Sequence, residues 1–95
     1  MRRALAIAVA LVLSGPAQAA APTAAQKDEF YAVCMGIAQN DTLCACKAEA
    51  AMTLIDERFM GVVIASMKGK APASGDYVAY NTYVAKSNQV CKPDY

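Results

Sequence analysis

The sequence contains no histidine and no tryptophan. Without histidine there is no Ser-His-Asp triad, no histidine-held zinc or haem, and no side chain whose ordinary pKa lies near neutrality. Excess charge of either sign is also missing. Nine Lys and Arg face eight Asp and Glu, a formal net charge of +1. A nucleic-acid-binding domain would carry a basic stripe, and none is present. No apolar run approaches the roughly 20 residues needed to span a bilayer. Alternating apolar and polar residues, the mark of a half-buried strand, do not occur. Neither do an internal repeat or a Gly-rich phosphate loop.

What is present is 95 residues, 57% of them apolar. That length allows one small domain. A chain this short buries only about 60% of its unfolded surface, so a staple of some kind is expected.

The first nineteen residues read as a secretory signal. Met1-Arg2-Arg3 is basic, Ala4 to Leu13 is uninterrupted apolar, Ser14-Gly15-Pro16 breaks a helix, and Ala17-Gln18-Ala19 offers small residues to a signal peptidase. The run is too short for a transmembrane anchor. A lipoprotein would need a cysteine just after it, and the first cysteine is Cys34. Cleavage is expected after Ala19, although Ala19-Ala20-Ala21 permits a cut two residues later. Arg2 and Arg3 leave with the signal, which makes the mature chain slightly acidic. Residues 20–95 are then a single disulfide-stapled helical domain in the periplasm, with no membrane anchor. Much of its apolar content is alanine, which favours helix more than it fills a core.

All four cysteines lie in that exported part: Cys34, Cys44, Cys46 and Cys91. An even number in an oxidising compartment reads as disulfides. A Cys44–Cys46 bond would close a strained ring. Two pairings remain. One joins Cys34 to Cys46 and Cys44 to Cys91; the other joins Cys34 to Cys44 and Cys46 to Cys91. A tight antiparallel turn near Asn40 favours the first. Cys44 lies closer than Cys46 to the centre of its helix's apolar face, which argues for the second, but the first is the expected pairing. Two cysteines of a C-x-C on a helix point about 200° apart, so they suit two different neighbours.

The remaining pattern predicts about four helices and an all-α fold. Thr23 and Gln26 form a capping box for the first, whose apolar face is Phe30, Val33, Cys34 and Ile37. Gln39-Asn40-Asp41 ends it, and Asn40 or Asp41 caps a second helix from about Thr42 to Ile55. Leu43, Ala50, Ala51 and Leu54 form the apolar face of that helix. A third starts at Asp56-Glu57 and runs through Met67. It is apolar all round from Met60 to Ala65, so it is expected to be the most buried. Lys68-Gly69-Lys70 supplies a glycine C-cap. After the linker Lys70–Gly75 a last helix begins near Ser74 or Asp76. It carries a stripe of Tyr77, Tyr80, Val84 and Cys91, with Tyr83, Ser87 and Val90 beside it, and Lys92-Pro93 stops it.

Little chemistry is written into this frame. Cys44-Ala45-Cys46 at a helix N-terminus could serve thiol–disulfide exchange, but the other two cysteines are ready structural partners. A Cys₄ zinc site would want C-x₂₋₄-C pairs, and Cys34-x₉-Cys44 does not fit. Met35, Met52, Met60 and Met67 lack the clustering of a copper carrier and read as core filling. Asp56 and Glu57 are explained as helix-start residues, and Ser66 and Ser87 have no base. No metal, no cofactor and no enzymatic activity are expected. The best binding candidates are Tyr77, Tyr80 and Tyr83, since tyrosine suits a surface that is half apolar and half wet. The alternative is that these rings roof an alanine-rich core.

The layout of Cys34, Cys44 and Cys46 followed by further helices resembles that of small exported helical proteins of Gram-negative bacteria, most of them uncharacterised. The resemblance implies compartment and fold. The function expected is a non-enzymatic protein-binding or structural module with an unknown protein partner. The alternatives are an inhibitor or immunity protein against a secreted effector, and a thiol–disulfide participant using Cys44 and Cys46.

Overall fold

The capping residues set the frame. Thr23 Oγ1 accepts from the Gln26 N–H, and Gln26 Oε1 accepts from the Thr23 N–H, both at 3.0 Å. This capping box starts α1 (Ala24–Ala38). Asn40 caps α2 (Asp41–Leu54) by accepting from the Leu43 N–H. Asp56 caps α3 (Glu57–Met67) by accepting from the Phe59 N–H at 2.8 Å. A 3₁₀ turn, Ser74–Asp76, leads into α4 (Tyr77–Val90). These elements come from a computed structural model that describes residues 19–92, and no strand occurs among them. The expected signal segment, apart from Ala19, and the Pro93 stop lie outside the described residues.

The helix ends follow the same logic. Gly69 has φ 105°, its N–H bonds Ser66 O, and the Lys70 N–H bonds Ala65 O. That is a Schellman cap, and only glycine adopts this backbone without strain. Gln39 closes α1 with φ 52°, a left-handed position held by a non-glycine residue. Asp76 makes no capping bond to α4. Its carboxylate accepts instead from the Arg58 guanidinium at 2.9 Å, tying the 3₁₀ turn to α3.

Helix α1 packs on α2 and α3, and α2 packs on α4. The core where they meet contains Phe30 and Cys34 from α1, then Cys44, Ala48 and Ala51 from α2. From α3 come Phe59, Met60, Val63 and Ile64, and from α4 Tyr83. Full burial of each large member is worth about 1.5–3 kcal/mol. Helix α3 buries one face rather than its whole circumference, for Gly61 is exposed and Val62 and Ala65 are half-buried. Helix α2 turns its small residues inward. Cys44, Ala48 and Ala51 are buried at i, i+4 and i+7, while Leu43 and Leu54 sit at the margins. Of the expected apolar face, Ala50 and Ala51 are buried, while Leu43 and Leu54 lie at its edge because the close contact is made by the small residues Cys44, Ala48 and Ala51.

The disulfides are Cys34–Cys44 and Cys46–Cys91. This corrects the favoured pairing of Cys34 with Cys46 and Cys44 with Cys91. The connection between α1 and α2 is Gln39-Asn40, so the residue directly opposite Cys34 is Ala45. Distance from the turn thus does not separate its two neighbours, and side-chain direction does. Cys44 is fully buried on the face toward α1. Cys46, two residues on, points away from it and reaches the end of α4.

Candidate functional site

Helices α3 and α4 do not lie side by side, although Ser66 Oγ donates to the Tyr80 hydroxyl at 3.0 Å where they come together. A cleft of about 250 Å³ opens between them. Phe30, Cys34 and Ile37 of α1 and Leu43 of α2 form its floor, Val63 and Met67 one wall, and Tyr80, Tyr83 and Val84 the other. Ile37 stands 63% exposed at this opening. Ile37 belongs to the apolar face of α1 with Phe30, Val33 and Cys34, but α3 and α4 do not close over it.

The three tyrosines have different settings. Tyr77 is 45% exposed, Tyr80 is half-buried with its hydroxyl bonded to Ser66, and Tyr83 is 6% exposed. Burial pushes the Tyr83 phenol up to about 12, a shift that the Ser87 hydroxyl opposes and Tyr80 slightly adds to. Two of the three therefore face the cleft and core, and Tyr77 alone stands clear. Ser87 and Cys91 are buried as well, whereas Val90 is exposed. The most buried line of α4 runs through Tyr83, Ser87 and Cys91, which joins Cys91 of the expected stripe to two residues placed beside it, while Tyr80 and Val84 of that stripe are half-buried along the cleft.

Sequence reasoning passed over Lys47. It lies beside the C-x-C pair on α2, and its ammonium donates to Ser87 Oγ at 2.7 Å and to Asn88 Oδ1. Burial holds its pKa below the ordinary lysine value. Among the described residues that line the cleft, Lys47 alone carries a charge. A lysine within a run of alanines resembles any solvated helix position, so nothing local marks it.

The arrangement suits recognition of apolar groups. The cleft offers apolar walls, a phenol and an ammonium, with no carboxylate and no activated nucleophile among its described lining. Every cysteine is in a disulfide. Cys44 and Cys46 are bonded to different helices. Among the described residues no three of His, Cys, Asp and Glu gather where they could hold a metal ion. No described helix is long and apolar enough to cross a membrane. No family model, no curated protein and no solved structure matches this chain.

Proposed function

We propose that this chain is a small exported, non-enzymatic helical protein that acts in the periplasm by binding another protein. The observation that carries the reading is the cleft between α3 and α4. It is an open apolar recess set into a scaffold whose α2 is tied by separate disulfides to α1 and to the end of α4. Anchor residues of a partner commonly fill recesses of this kind, and surrounding contacts exclude water. Two interhelical disulfides suit an oxidising compartment. An inhibitor or immunity protein would use the same cleft, and the identity of the bound protein decides that question.

The test has two readouts. Protein recovered from the periplasm should weigh four hydrogens less than its reduced form, and mild reductant should not restore them without denaturant. Recovery as a reduced cytoplasmic chain overturns the export reading. A photo-reactive residue at Ile37 should crosslink to a discrete protein in living cells, and one at exposed Thr53 should not. Equal crosslinking from both positions, or none from either, overturns the binding reading.

A further inference from the structure

Lys47 is a half-buried cation in an apolar recess. An ammonium has three donors, and Ser87 and Asn88 take two. Ion pairs join Lys27 to Glu49, Arg58 to Asp76 and Lys68 to Glu29, and none among the described residues takes Lys47. Holding a cation out of water beside neutral oxygens is costly. A carboxylate arriving at that place would gain a charge-assisted bond, roughly twice as strong as a neutral one.

The size of the cleft separates two kinds of occupant. At about 250 Å³ it falls short of the roughly 300–1,000 Å³ of sites that enclose a small molecule, and it is open on one side. It has room for a few apolar side chains of something larger. A strand has no sheet edge to extend among the described residues. A helix brings its own backbone bonds satisfied and needs only a groove for its side chains.

Resting on the protein-binding reading above, we propose that the cleft receives an acidic amphipathic helix of the partner protein. Apolar side chains one turn apart enter between Ile37, Val63, Met67 and Val84. An Asp or Glu on the same face of that helix accepts from Lys47 Nζ.

A displayed library of 16-residue amphipathic helices, with fixed apolar anchors and randomised polar positions, tests this against the oxidised exported protein. Enriched sequences should share an Asp or Glu at one fixed offset from the anchors. Replacing that acid with its amide should weaken binding about tenfold or more. Lys47→Met should make the acid and amide peptides bind alike. Ile37→Asp changes a side chain the fold leaves exposed, and it should weaken both peptides at least about tenfold. Thermal melts followed by circular dichroism identify variants that fail to fold, and Lys47→Arg, which keeps the charge, should retain the acid preference. Absence of enrichment, enrichment without an acid preference, or binding that survives Ile37→Asp overturns the proposal. So does displacement of the enriched peptides by dodecanoate at equal concentration, which would mark the cleft as an amphiphile site. If Ile37→Asp leaves the partner crosslinked in cells from another position, the cleft proposal fails while the protein-binding reading stands.

Discussion

Cys46 and Cys91 are joined by a disulfide across 45 residues of sequence, with their Cα atoms 5.9 Å apart. The bond fixes the end of α4 to the first half of α2. The Cys34–Cys44 bond spans only ten residues. On the chain-entropy model the longer loop contributes about 4 kcal/mol and the shorter one about 2.5–3 kcal/mol. Urea unfolding of Cys46→Ala/Cys91→Ala and of Cys34→Ala/Cys44→Ala should show the first pair losing more stability. The reverse order would mean that packing at Cys44 outweighs loop closure. Access predicts the order of reduction too. Cys46 is half-buried while Cys34, Cys44 and Cys91 are buried, so partial reduction in low denaturant followed by alkylation should label Cys46 and Cys91 first.

Gln39 ends α1 in the left-handed region at φ 52°, where its N–H bonds Met35 O. A side chain costs about 1 kcal/mol there, and glycine avoids that cost but loses more entropy on folding. Gln39→Gly should therefore stabilise the protein by about 0.5 kcal/mol. The side chain is exposed, so the substitution removes little packing. A drop in melting temperature would show that the turn between α1 and α2 is set by something other than this dihedral.

The helices were legible because their signals are local. Thr23, Asn40, Asp56 and Gly69 each act on backbone groups within four residues, and each caps the end the sequence assigned to it. Rotation of a helix about its axis is not local. Which residues of α2 and α4 are most buried is decided by packing between helices. The cleft was hidden for the same reason. Ile37 belongs to a well-formed apolar stripe, and nothing in the stripe says that its neighbouring helix stands aside. Lys47 gains its character from Ser87 and Asn88, forty residues away.

The Glu57 N–H, in the first turn of α3, donates to Ala20 O at 2.8 Å. An orphan donor at a helix start is thus satisfied by the segment that precedes α1. Gln26 Nε2 adds a bond to Glu57 O at 3.0 Å, closing the same corner. Export with cleavage after Ala19 keeps this bond, and a cut after Ala21 removes it. The Ala17-Gln18-Ala19 site predicts that protein from the periplasm has a mass that begins at Ala20. A chain engineered to begin at Pro22 should be less stable by about 1 kcal/mol, the worth of one such bond. Equal stability of the two forms would show that water satisfies Glu57 as well as Ala20 does.

Tyr83 and Lys47 give opposite slopes to stability at alkaline pH. Tyr83 has a folded value of about 12 against an ordinary 10.0. Below pH 10 both states keep the phenol neutral, and its contribution is complete. Between pH 10 and 12 the unfolded chain loses the proton first, so stability falls, by roughly 2–3 kcal/mol for a shift of this size. Lys47 is held below its ordinary 10.5 by burial. As pH rises through its folded value toward 10.5, the unfolded chain keeps the proton longer, so stability rises. Tyr31, raised chiefly by its hydrogen bond to Asp41, adds to the fall with the same sign as Tyr83. Rapid urea unfolding between pH 7 and 11.5 should show a small rise and then a steep loss above pH 10. Tyr83→Phe should remove most of the loss and keep the rise. Lys47→Met should remove the rise and keep the loss. An unchanged loss in Tyr83→Phe would place the alkaline transition at Tyr31, and would mean that Tyr83 is more hydrated than its 6% exposure indicates.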